Sequence, residues 1–216
     1  MRAAIPNSVS ALAWRRLARL SALVSLVAVS TACGIEKYGS AVYYDGPERT
    51  RVVVPPGAPF ISQQFSEPVE QGSGGHIGID IWGALRSPVL AAAPGRVTAS
   101  FYEPAYGNRI VVDHGRDAAG VRHWTVYKHL KERLAVKGAR VARGERIATM
   151  GATGALGMMV HLHFEVLEGD DPRYATPRDP QLFWVEGAGR VTCFDPALAI
   201  PRGRFVTTYP VACRDG

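Results

Sequence analysis

Apolar residues recur at every second position in several short runs of this chain, the period of β-strands that bury one face and expose the other. In V-H-L-H-F-E-V, Val160, Leu162, Phe164 and Val166 alternate with His161, His163 and Glu165. In H-I-G-I-D-I, Ile77, Ile79 and Ile81 alternate with His76, Gly78 and Asp80, and Gly78 leaves open space between the two polar groups. RIVVD, HWTVYKHL and RIATM are further strand-like runs separated by glycine-rich turns, so the pattern predicts antiparallel β-structure with little helix. VKGARVARGERIATM looks like the hairpin repeats of lipoyl-type β-folds.

Alternate side chains of a strand share a face, so His161 and His163 project together, as do His76 and Asp80. Neighbouring strands stand about 4.8 Å apart, and two such faces side by side can gather three or four imidazole and carboxylate groups around one ion. That donor set suits zinc, and a catalytic zinc takes three protein ligands and keeps its fourth position for water. Structural zinc sites are mostly cysteine-rich and fill all four positions, which disfavours that reading here. The helical H-E-x-x-H signature is absent, which excludes that metallopeptidase class.

Four of the six histidines fall in H-I-G-I-D, Y-K-H-L and H-L-H-F-E. With SPVLAAAPGRV, YGNRIVVDHG and VKGARVARGERIATMGATG in their order, these strings make the stretch from about Phe60 to Trp184 resemble the lysostaphin-type (LytM-like) zinc endopeptidases of bacterial cell walls. The resemblance implies an antiparallel β-sandwich of the duplicated-hybrid-motif type and one Zn2+ per chain. His76, Asp80 and His163 match the family's metal ligands, and His129 and His161 match its catalytic histidines, without saying which is the base. The implied substrate is a peptide cross-link of peptidoglycan. A wall-binding regulator of the same fold that activates a separate amidase is the alternative, and a zinc hydrolase of non-wall peptides is a third. In one place the chain departs from the family: Ala155 to Val160 replace the usual T-G-P-like approach to H-x-H, adding one residue and placing Met158 and Met159 beside the groove.

Other polar residues read more plainly. Asp113 and His114 organise a turn at Gly115, His123 lies exposed in a polar connection, and Tyr106 and Asn108 flank a tight turn at Gly107 that can border the groove. Glu165 can orient a ligand histidine or simply be solvated.

Residues 1–32 carry Arg2, Arg15, Arg16 and Arg19, no acid, and the apolar run LSALVSLVAVSTA before Cys33. This reads as a signal peptide, too short to span a bilayer as a helix of about 20 residues. Leu17, Ala18 and Arg19 do not supply the apolar sequel of a twin-arginine signal. Ser30-Thr31-Ala32-Cys33 resembles a lipobox, although Ser30 stands where a large aliphatic residue is usual, and Gly34 after a lipidated Cys33 would, by resemblance to diderm lipoproteins, direct the protein to the outer membrane. Cleavage after Ala32 to a soluble form and an uncleaved anchor are the alternatives. The net charge of +6 includes the four leader arginines and becomes +2 without them, so nucleic-acid binding is not indicated. In an oxidising compartment the remaining pair, Cys193 and Cys213, is expected to form a disulfide. The organisation predicted is a lipidated N-terminus and tether over 33–59, a metallopeptidase domain over 60–184, and an irregular tail over 185–216 that wraps the domain and is pinned by the disulfide. Oligomeric state is not legible.

Overall fold

The computed structural model describes residues 41–43, 51–66 and 75–213. The expected signal peptide and Cys33 lie outside them. Thirteen strands follow in order: β1 (Ala41–Tyr43), β2 (Arg51–Val53), β3 (Ile61–Gln63), β4 (Ile79–Trp82), β5 (Pro88–Leu90), β6 (Gly95–Glu103), β7 (Gly107–Arg116), β8 (Arg122–Leu130), β9 (Glu132–Arg133), β10 (Arg140–Val141), β11 (Arg146–Thr149), β12 (His161–Glu168) and β13 (Thr176–Arg178). Among the described residues the one helical element is a 3₁₀ turn at Pro180–Leu182, where the Asp179 side chain accepts a hydrogen bond from the Gln181 amide.

Pairing is antiparallel throughout the named strands, as the alternating pattern predicts. The large sheet runs β10-β6-β7-β8-β12-β4-β3, with β13 added to β12, and a smaller sheet runs β5-β11-β9. The principal core lies between the two. Ile79, Ile81, Tyr127, Leu162 and Phe164 of the large sheet meet Val89, Ile147 and Ala148 of the small one. On the opposite face of the large sheet, Val111, Trp124, Val126 and Leu167 make a second, smaller cluster.

Three features differ from the sequence reading. β10 pairs with β6 and β11 with β5 and β9, so VKGARVARGERIATM crosses from one sheet to the other rather than closing a hairpin on itself. Val52 and Val54, placed by sequence in the tether, are buried in the principal core, because β2 is held against the tail by Val53 N–H to Gly189 O and Val191 N–H to Val53 O. His123 is 3% exposed and stacks on Phe205 at 4.4 Å, rather than sitting in solvent.

The tail closes the core. Val191, Tyr209 and Val211 are buried in it beside Trp184, and Cys193 and Cys213 form a disulfide with Cα atoms 6.0 Å apart. Closing a loop of 20 residues stabilises the fold by about 3 kcal/mol in the chain-entropy account.

His114 links this tail to the sheet. Its Nδ1–H donates to Pro94 O at 2.8 Å, its Nε2 accepts from the Thr125 hydroxyl at 2.8 Å, and Phe205 covers the ring at 5.0 Å. Burial holds its pKa down to about 4, against 6.5 for a free imidazole. The folded state therefore favours the neutral ring, and its contribution is complete above about pH 6.5 and is lost as pH falls through about 4. Urea midpoints measured from pH 7 to 4 should show this acid loss, up to about 3 kcal/mol, and His114→Gln should flatten it. An unchanged pH profile in that variant would contradict the assignment.

Candidate metal centre

The register of β12 with its two neighbours gathers the polar residues. His161 lies opposite Trp82 and His163 opposite Asp80 on β4, while on the other side His163 lies opposite Lys128 of β8. His76 precedes β4 and is fixed by a bridge with Ser66, so only the second half of H-I-G-I-D-I is a regular strand. Gly78 is the reason the two halves fit: a Cβ there would stand 2.4 Å from Phe164 O and 3.0 Å from His163 Nε2. The missing side chain makes room for β12 and its histidine, not for space between His76 and Asp80.

His76, Asp80 and His163 converge. His76 Nε2 stands 3.1 Å from His163 Nδ1 and 3.2 Å from Asp80 Oδ1, and His163 Nδ1 stands 2.8 Å from that oxygen. Ligands of a tetrahedral zinc with bonds near 2.0–2.1 Å lie about 3.3 Å apart, so small outward shifts would seat the ion. The rear nitrogens are engaged as a metal shell requires: His76 Nδ1–H donates to Gln64 O at 2.8 Å, and His163 Nε2–H to Glu165 Oε1 at 3.0 Å. Burial opposes ionisation of Asp80, but hydrogen bonds from His163 and His76 outweigh it and hold the carboxyl well below the usual range. Burial likewise disfavours a charged His163, yet Asp80 and Glu165 raise its pKa overall. A positive charge is thus favoured at the meeting point of these three side chains. The donors present fit Zn2+.

Two further histidines border this cluster. His161 lies on the same face of β12 as His163, with Nδ1–H donating to Met159 O at 2.8 Å. His129 reaches it by a break in the ladder: Ile110 pairs with Tyr127 but Asn108 pairs with Leu130, so β8 carries one extra residue there. His129 has φ 61°, a left-handed conformation that turns its side chain onto the face of Lys128 while Leu130 returns to the core. The His129 ring stands 4.7 Å from that of His161 and 6.2 Å from that of His163, and its Nδ1–H donates to Thr153 O at 2.9 Å. Burial lowers its pKa to about 4. Both rings leave Nε2 uncommitted to backbone, and His161 Nε2 is 3.8 Å from Asp80 Oδ1.

Residues 74–175 match Peptidase family M23. This stretch is an M23 peptidase domain. It carries all five side chains just described. Peptidoglycan DD-endopeptidase ShyB of Vibrio cholerae serotype O1 is 38% identical over 104 residues, 48% of this chain and 23% of that protein. The uncharacterized lipoprotein YgeR of Escherichia coli K12 is 36% identical over 128 residues, 58% of this chain and 46% of that one. The murein hydrolase activator NlpD of the same organism is 37% identical over 94 residues, 43% and 23%. The chain therefore spans less than half the length of each of these relatives.

Outside the five residues, the Asp80 face of β4 carries an exposed aromatic that the sequence did not single out. Trp82 alternates with Asp80 in I-D-I-W and so shares its face, is 40% exposed, and stacks on Phe60 at 5.9 Å. Met158 is 89% exposed. Tyr106 stands beside His129, whereas Asn108 is committed to structure, its amide donating to Leu130 O and Lys131 O.

Proposed function

We propose that this protein is a zinc metalloendopeptidase that hydrolyses peptide cross-links of peptidoglycan, with His76, Asp80 and His163 as the metal ligands and His129 and His161 as the catalytic pair. The observation that carries the reading is the convergence of all five side chains on one face of the sheet, three with donor atoms mutually about 3 Å apart. One Zn2+ held by His76, Asp80 and His163 would supply an acidified water and polarise the scissile carbonyl. The protein's own residues do the rest. With Nδ1–H tied to Thr153 O and burial keeping the ring neutral, His129 offers its Nε2 lone pair as a proton acceptor. The proton His129 accepts from the water passes to the leaving amine, and His161, whose Nδ1–H is tied to Met159 O, is assigned to the oxygen of the tetrahedral carbon.

The second reading is a regulator that binds wall and activates an amidase, which the likeness to NlpD favours. Digestion of purified cell walls with mass analysis of the released muropeptides separates the two: new cross-link cleavage products support the peptidase, and release of products only when an amidase is added supports the regulator.

Attachment to the outer membrane through lipid on Cys33 is part of the proposal. It rests on the leader and lipobox, and the likeness to a protein named a lipoprotein supports it. Several acyl chains on one cysteine give lasting attachment where one alone is marginal. The intact mass of the native protein is expected to show acylation at Cys33, and an unmodified N-terminus in a soluble periplasmic fraction would reject it.

A further inference from the structure

Lys128 and Glu165 form an ion pair with almost no exposure, 3% and 2%. Removing two charges from water is expensive, and their mutual attraction seldom makes such a pair a net source of stability. Its placement points to another use. Glu165 Oε1 receives both the Lys128 ammonium and the Nε2–H of His163, so one oxygen links the cation to the ring whose Nδ1 faces Asp80 and His76. Lys128 lies opposite His163 in the ladder, and Glu165 is reached diagonally. The ammonium also stands 4.0 Å from the centre of the Tyr106 ring, and Tyr106 O accepts the amide proton of His129. Lys128 thus touches the supports of two site histidines.

We propose that Lys128 is a positioning residue for the metal centre: its buried ammonium fixes the Glu165 carboxylate on His163 Nε2, and so aims Nδ1 at the ion. The inference rests on the metal-binding reading of the three-ligand cluster. Outer hydrogen bonds to a ligand histidine set its tautomer and orientation and commonly carry ~10–100-fold in metal affinity. Glu165 without a fixed cation is free to turn away from the ring, and a neutral amide in its place can present either its oxygen or its NH2 group.

The test uses the purified protein, zinc competing against a chromophoric chelator, and the visible spectrum of the Co2+-loaded form. Lys128→Met is expected to weaken zinc binding roughly 10–100-fold and to alter the Co2+ spectrum. Because that variant strands a buried carboxylate, the double variant Lys128→Met/Glu165→Gln is measured beside it; it buries no unpaired charge, and it is expected to melt close to the unaltered protein while still binding zinc at least about tenfold more weakly. Wild-type affinity and spectrum in the double variant would overturn the positioning role and leave the pair a structural one. If the unaltered protein itself took up no zinc, the metal-site reading would fall first and this inference with it.

Discussion

Replacing His76, Asp80 or His163 by alanine is expected to remove tight zinc binding, each variant losing more than the ~10–100-fold that follows loss of a group behind a ligand. In the proposed centre the three side chains are the protein ligands of a tetrahedral ion, and any two of them would leave it open to water on two sides. Zinc content of the purified variants after dialysis checks this, with circular dichroism to show that the fold persists. One equivalent of retained zinc in all three would remove the proposed centre.

Replacing His129 or His161 by alanine should do the opposite to the two readouts. Zinc content should stay near one equivalent, because each ring's nearest anchor is a backbone carbonyl, Thr153 O for His129 and Met159 O for His161. Wall hydrolysis should fall by ~10² or more, the scale for losing a proton-transfer group or an oxyanion donor. Rates of cross-link cleavage by the zinc-loaded variants decide it, and near-normal turnover in both would favour the regulator reading over the peptidase.

The alternation in V-H-L-H-F-E-V was legible because period two is a direct consequence of strand geometry, and it placed His161 and His163 on one face as found. The ligand trio was readable only through the ordered set of motifs, since no single run brings His76 to His163; a ladder between residues about 80 apart does. His129 was named by resemblance, but the extra residue in β8 that delivers it was not foreseen, because a bulge leaves the apolar pattern of H-W-T-V-Y-K-H-L almost unchanged. Lys128 and Trp82 passed unremarked, one as an ordinary strand lysine and one as an ordinary aromatic. The burial of Val52, Val54 and His123 depends on the tail folding back, a long-range event with no local signature.

The conformation of His129 bears on what the fold gives up to house this site. A left-handed backbone is a position where glycine is at ease and a side chain with a β-carbon is strained, by an amount of order 1 kcal/mol. Local backbone preference alone would place glycine at 129, and the imidazole sits there against it. Selection for thermal stability and selection for the proposed chemistry would therefore pull this one residue in opposite directions.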